Sequence, residues 1–557
     1  MVCLAEKEIT LEFKKPEIAI LLAVLVLFFC VELQVTLNSR VSFGDEGYHL
    51  RVAQEIAKYV DYPAWLRFRH TEVSDRPFNR PPIWNMLLAS FFFLGFNEVV
   101  PKILAPFAAS ILTGIAVYVL VKKLYNKVSG LFAAIIMAAV PSIVTYAVLL
   151  YTDTLFVFYF TLSTLAFILA NVENRKKYWI LAAVFGALSV LTKTPGYLIV
   201  VFAGLAFLYW VFLIKVKKYQ GGSLTGVFKK YALFALLFSI IVVPFFVRNY
   251  VYYGVIDCNA PVPMADKSGC EIEKYKSNLA DTRTAASGGT EESPLKMGLT
   301  NYINFSYGEL WFVPLSFLCG AYILAKRRNL RNALVLLSIV GYLIVMTDSL
   351  VNPSSRSEDI SRFTLGWVPI IAMISGVFFE GVYRFVSENQ KYLSLLVIIV
   401  VIFMSYLSIV GMSVGGINIA GKASVMSSVK VFSPAFFEAC DWARKNLKEE
   451  DLLMTVWVHQ TAYNCQTRVT GCEVDILLSS NATDMVDVAK TYGITHIFVQ
   501  KGSISSKPAS EKYPLDFVNV LGNNPDKFVK VFENGPSVSS CVQQGGCDGT
   551  VIYEIKY

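Results

Sequence analysis

The chain reads as a polytopic α-helical membrane protein of about eleven transmembrane helices, followed by a small extracytoplasmic α/β domain. Three observations lead there. Of its 557 residues, 55% are hydrophobic and only 17% charged, and the mean hydropathy is +0.51. Apolar runs recur from residue 17 to residue 411, more than a soluble surface tolerates. After residue 412 the pattern changes to short alternating segments.

The first run, "PEIAILLAVLVLFFCVELQV", is long enough to span and has no small-residue cleavage site after it, so we read it as a retained helix and not a signal peptide. The expected spans are 17–35, 101–121, 130–150, 154–171, 178–194, 196–214, 229–247, 309–325, 331–348, 363–383 and 392–411. The formal net charge of +8 does not indicate a nucleic-acid partner. The basic excess sits in short loops: Lys122, Lys123 and Lys127; Arg175, Lys176 and Lys177; Lys215, Lys217 and Lys218; Lys326, Arg327, Arg328 and Arg331. Such clusters mark cytoplasmic loops. With the N-terminus cytoplasmic, this span order places all of them inside and leaves the C-terminus outside. The run "PPIWNMLLASFFFLGF", 81–96, is shorter than the ~20 residues a crossing needs. If it spanned, every later loop would change sides, so we expect a helix lying along or dipping into the outer interface.

Residues 1–411 then form the membrane domain, with outer loops at 36–100 and 250–305, and residues 412–557 form the tail domain. In the tail, "SPAFFEACDWARKNL" begins with a cap-like Ser433 and Pro434 and carries helical periodicity. "LLMTVWV", "ITHIFVQ", "FVKVFEN" and "TVIYEIKY" read as strands, and "TDMVDVAKTYG" as a helix stopped by Gly493. Seven of the ten cysteines fall on the expected outer side. Cys258/Cys270, Cys465/Cys472 and Cys541/Cys547 are close enough in sequence for local disulfides, leaving Cys440 over. Zinc is the rival reading and is less favoured, because the chain has no C-x-x-C and its four histidines are scattered.

Chemistry-bearing residues gather at one expected level. Asp45 and Glu46, in "SFGDEGYHL", follow the first span by about ten residues, in a loop with His49, Arg51, Arg67, Arg69, His70, Arg76 and Arg80. Acids in a helix's first turn favour its dipole, which accounts for one acid but not for a pair beside so many arginines. Asp153, in "LLYTDTLFVF", is a carboxylate between two apolar runs. That marks a functional candidate, with a helix cap supplied by Thr152, Asp153 or Thr154 as the plain alternative. Lys193, Arg248 and Arg362 sit at span ends, where snorkelling alone could place them. For Arg362 a surface ion pair with a nearby acid is an equal alternative. Together these groups suit displacement at a sugar carbon with a lipid phosphate as leaving group. A carboxylate takes the acceptor's proton, and Arg or Lys meets the phosphate's growing charge. The chain contains no G-x-x-x-x-G-K-[ST] and no dinucleotide fingerprint.

On these residues the chain resembles the GT-C integral-membrane glycosyltransferases, in particular the protein O-mannosyltransferase and aminoarabinose-transferase group (glycosyltransferase family 39-like). The group's Asp-Glu pair is matched by Asp45-Glu46, and its Pro-Pro pair after a basic residue by "NRPPIWNML" with Arg80. Its second acid is matched by Asp153 and its Leu-Thr-Lys segment by Lys193. Its exit segment is matched by Pro244, Arg248, Asn249, Tyr250 and Gly254, and its late Arg-aromatic by Arg362-Phe363, with Phe where Tyr is commoner. The resemblance covers residues 15–410. It implies an inverting transfer from a polyprenyl-phosphate sugar to a protein, lipid or glycan acceptor at the outer face. It further implies Asp45, Glu46 and Asp153 in catalysis, and Arg80, Lys193, Arg248 or Arg362 on the lipid phosphate. The group is largely metal-independent, so no cofactor is expected, and a divalent ion at the acids is not favoured. The oligosaccharyltransferase signature WWDYG is absent. The competing class is a transporter or flippase of lipid-linked sugars, whose two related halves the chain does not show. A receptor using the tail to bind would leave the acids and cations without a role.

Overall fold

The computed structural model describes residues 15–38, 44–63, 80–148, 150–217, 223–253, 312–327, 329–351, 365–390, 393–410, 413–414, 417–418, 433–471, 481–505, 513–543 and 547–557. Apolar runs form helices throughout the first part of the chain. They are α1 (Lys15–Asn38), α2 (Gly44–Tyr59), α3 (Ile83–Phe93), α4 (Val99–Pro106), α5 (Thr113–Leu124), α6 (Lys127–Ala139), α7 (Pro141–Val148), α8 (Asp153–Glu173), α9 (Lys176–Val190), α10 (Leu198–Lys215) and α11 (Leu224–Tyr253). After these come α12 (Val313–Lys326), α13 (Leu330–Val351), α14 (Val368–Asn389) and α15 (Leu393–Val410). A π-helical turn, Phe107–Leu112, joins α4 to α5. Five described segments are long and apolar enough to cross a membrane: Val99–Leu124, Asp153–Glu173, Thr194–Lys215, Leu224–Tyr252 and Leu365–Glu388. Shorter apolar stretches lie within other helices, among them Ile18–Gln34, Leu330–Tyr342 and Leu393–Ser405.

Local chemistry explains the breaks. The run expected as one helix over 130–150 is two, because Val140 adopts an extended conformation (ψ 120°) before Pro141, as the ring of a following proline demands. The α6 start is capped by Asn126, whose side chain accepts from the Val128 and Ser129 amides at 3.0 Å. The 81–96 run forms only the eleven residues of α3, too few to cross. Trp84, Asn85, Leu88 and Ala89 are buried, while Met86, Phe93, Leu94 and Phe96 are exposed.

The bundle has two chemically different ends. Three of the basic turns meet at one of them: Lys123 and Arg175 both pair with Glu173, at 3.3 and 3.4 Å, and Arg331 donates to the Leu124 carbonyl while lying over Tyr125. Following α8 from Glu173 to its other end leads to Asp153. Following α5 and α4 back from Lys123 leads to Glu98, which accepts a hydrogen bond from Tyr463 of the tail domain. The acids and these three basic turns therefore lie at opposite ends of α8 and of the α4–α5 segment.

The tail domain is α/β. Its helices are α16 (Pro434–Asn446), α17 (Val458–Cys465), α18 (Ala482–Tyr492) and α19 (Leu515–Asn523). Its sheet is formed by β1 (Leu452–Thr455), β2 (Arg468–Gly471), β3 (His496–Gln500), β4 (Phe528–Asn534) and β5 (Thr550–Ile555), in the order β2-β1-β3-β5-β4. The first three are parallel, with Leu453 opposite His496, and β5 runs antiparallel between β3 and β4. Gly493 closes α18 at φ +67°, as its position predicts. Ser433 precedes α16 as expected, but its hydroxyl makes no cap bond. Residues 456–458, read as a strand's end, instead lead into α17.

One disulfide expectation is corrected. Cys465 pairs with Cys440, not with Cys472. Cys440 lies on α16 and Cys465 at the end of α17, and packing of these helices brings together two cysteines 25 residues apart. Cys541–Cys547 forms as expected. Cys258, Cys270 and Cys472 lie outside the described residues.

Candidate active site

Asp45 lies in the first turn of α2. Its carboxylate Oδ1 accepts from the Arg80 guanidinium at 3.2 Å, and its backbone N–H donates to the Tyr151 hydroxyl at 3.2 Å. Both groups remain partly open to solvent, with side-chain exposures of 38% for Arg80 and 21% for Asp45. A carboxylate paired with a cation at a helix start and partly open to solvent lies within reach of a substrate. Glu46 is buried beside it, on the side facing Tyr463. Burial pushes the Tyr463 hydroxyl well above the usual phenol range, and the Glu98 and Glu46 charges add to this.

Arg80 is placed by its own backbone as well as its side chain. Its carbonyl accepts from the Tyr62 hydroxyl at 2.8 Å. The same Tyr62 ring lies 4.7 Å from the Arg248 guanidinium, which also contacts Tyr252 and donates to the Pro63 carbonyl at 2.6 Å and to Asn249 Oδ1 at 3.0 Å. Arg248 thus extends from the last turns of α11 onto the segment that follows α2, where its planar guanidinium both stacks on Tyr62 and donates to two acceptors.

Asp153 is fully buried and pairs with Lys193. Thr152, at the N-cap of α8, makes no side-chain cap bond. The turn before Asp153 is forced, with Leu150 in the left-handed region at φ +52°, unusual for a branched residue. The Leu150 carbonyl accepts from Trp84 Nε1 at 3.2 Å. Lys193 leaves α9 in extended conformation. Gly196 then packs so tightly against the end of α9 that a Cβ would sit 2.4 Å from the Val190 nitrogen. The α3 start is tied to the same turn by the Ile83 amide, which donates to the Leu191 carbonyl at 2.9 Å.

Two pairs, Asp45–Arg80 and Asp153–Lys193, are therefore joined through Tyr151, Trp84 and Ile83, and Arg248 joins them through Tyr62. Arg362 lies outside the described residues. Sequence reasoning singled out neither Tyr62 nor Tyr151. Tyr151 stands two residues before Asp153 in "LLYTDTL", and an aromatic hydroxyl next to a candidate acid was the available signal. His49, noted only as part of the loop, meets Asn85 Oδ1 through Nδ1 at 2.8 Å in a buried contact between α2 and α3. Among the described residues no group of three His, Cys, Asp or Glu could hold a metal.

Residues 79–247 match the family model described as dolichyl-phosphate-mannose-protein mannosyltransferase. That stretch contains Arg80, Asp153 and Lys193 and stops one residue short of Arg248. A search of curated proteins finds no match. Solved structures match over most of the chain. The oligosaccharyltransferase AglB from Archaeoglobus fulgidus, in complex with an inhibitory peptide and a dolichol-phosphate, matches with a TM-score of 0.61 at 12% identity, over 94% of this chain and 74% of that one. ArnT from Cupriavidus metallidurans, bound to undecaprenyl phosphate, matches with a TM-score of 0.60 at 12% identity, over 97% of this chain and 98% of that one. The chain is a multi-pass membrane protein with the fold of the GT-C glycosyltransferases.

Proposed function

We propose that the protein transfers a sugar from a polyprenyl-phosphate donor to a hydroxyl-bearing protein, lipid or glycan acceptor, with inversion, at the outer face of the membrane. The observation that carries this is the meeting of Asp45–Arg80, Asp153–Lys193 and Arg248 at one end of the bundle, opposite the basic turns. The solved relatives hold a dolichol-phosphate and an undecaprenyl phosphate, and a further A. fulgidus structure is tethered to an acceptor peptide.

In this reading Asp45 takes the acceptor's proton as the acceptor oxygen bonds to the anomeric carbon. The bond from that carbon to the phosphate oxygen breaks on the opposite face, which inverts the centre. The phosphate leaves with its electron pair, and Arg80, Arg248 and Lys193 meet its charge. Glu46 sits behind Asp45, and Asp153 keeps Lys193 in place. Cations fill the part that a divalent ion fills elsewhere, so chelators leave turnover unchanged. The basic turns face the cytoplasm, together with the N-terminus, and the tail domain faces outside.

Proteoliposomes loaded with a polyprenyl-phosphate-linked sugar, radiolabelled in the sugar, test the reading. Label passing to an acceptor, with free polyprenyl phosphate released, is the expected result. Label that crosses the bilayer still attached to its lipid would identify a flippase instead.

A further inference from the structure

The reaction above uses no residue of the tail domain, yet that domain's core continues into the helix that carries Asp45. Tyr48 and Val52 of α2 are buried in one apolar cluster with Phe436, Cys440, Leu453 and Phe498. Gly47 shows how closely α17 approaches: a Cβ there would lie 2.8 Å from the His459 carbonyl oxygen and 3.1 Å from the Gln460 Cα. Only a residue without a side chain fits that contact. One turn further along, Arg51 donates to Gln466 Oε1 just past α17.

Tyr48 stands where the two parts meet. Its side chain is buried (4% exposed). The His459 imidazole meets its ring edge-on at 5.0 Å, and His49 does so at 5.3 Å. The Arg80 guanidinium lies over the same ring, 4.4 Å from its centre, and reaches Asp45 from there. The ring thus belongs to the tail domain's core and also supports the arginine that pairs with Asp45. A free arginine samples many rotamers, and an aromatic face that attracts the cation narrows them.

We propose that Tyr48 is a positioning residue through which the tail domain holds Arg80 against Asp45. The purpose of that placement rests on the transferase reading, whereas the contact itself does not. The tail domain then sets the geometry of the phosphate-binding cations and is more than an attached module.

The test follows the reaction of Arg80 with phenylglyoxal by mass spectrometry, on the full chain in detergent. Tyr48→Leu removes the platform and should speed modification of Arg80 by about 2- to 30-fold, the range a cation–π contact spans. Tyr48→Phe keeps the ring and should keep Arg80 protected. His459→Ala alters a half-buried residue on the tail-domain side and should speed modification in the same direction, even if Tyr48→Leu fails to fold. Unchanged Arg80 reactivity in the folded variants would overturn the proposal. In transfer assays Tyr48→Leu should lower the rate in the wild-type background but add little to Arg80→Gln, and additive losses would likewise overturn it. If the wild-type protein transfers no sugar while Arg80 reactivity responds as stated, the transferase reading falls and the positioning role stands.

Discussion

Lys193→Met is the most informative perturbation of the structure. It removes the cationic partner seen at Asp153, whose carboxylate has no exposure at all, and keeps most of the side-chain volume. A buried carboxylate that loses its ion-pair cation costs about 3–5 kcal/mol, a loss of roughly a hundred- to several-thousand-fold in the folded-to-unfolded ratio. Asp153→Asn should cost less, because Lys193 retains 12% side-chain exposure and its flexible stem lets the ammonium turn toward water. The double variant removes both charges and should recover much of the Lys193→Met loss. The assay is thermal unfolding in detergent across the four-member cycle. The expected order of melting temperature is wild type highest, Lys193→Met lowest and the double variant between them. Losses that simply add, with the double variant lowest, would show that the two residues do not act as a buried pair.

Three further outcomes follow from particular contacts. Engineered cysteines near Asn79 and near Glu98 should both be labelled from outside, because eleven residues of helix cannot cross; labelling from opposite sides would reverse the orientation of everything after α3. Peptide mapping without reduction should recover Cys440 linked to Cys465, and Cys440→Ser should cost the tail domain about 3–4 kcal/mol for a loop of this size; a Cys465–Cys472 link would contradict the packing of α16 on α17. Burial holds the His496 imidazole below its ordinary value of 6.5, against the opposing pull of Asp451 and Glu554. The unfolded chain therefore binds a proton first as pH falls below about 6.5, and tail-domain stability should decline from there toward the folded value, with His496→Gln flattening the decline.

The helices of the bundle were legible because a lipid-facing or core-facing helix needs an unbroken apolar run, and the runs are long. The acids at the α2 start and at Asp153 were legible because charge beside such runs is costly and so conspicuous. The break at Val140 had a signal too, in Pro141, but hydropathy averaged over a window hides a single residue. The pairings were not legible. Asp45–Arg80 spans 35 residues and Asp153–Lys193 spans 40, and only the folded turns at Leu150 and Gly196 bring those groups together. Cys440–Cys465 escaped for the same reason, since proximity in sequence favoured Cys472. The division at residue 412 follows composition, whereas Tyr48 and Val52 lie about 400 or more residues before the strands they pack on; nothing in local pattern announces that a loop helix completes a distant core.

The central claim is that Asp45 acts as the base for transfer from a polyprenyl-phosphate sugar. The direct measurement is the transfer rate of purified Asp45→Asn against wild type, at saturating donor, with folding checked by its unfolding profile. The amide keeps the shape of the carboxylate and can no longer take a proton, so the rate should fall by about 10²–10⁴-fold. A folded Asp45→Asn protein that transfers sugar at near the wild-type rate would contradict the account.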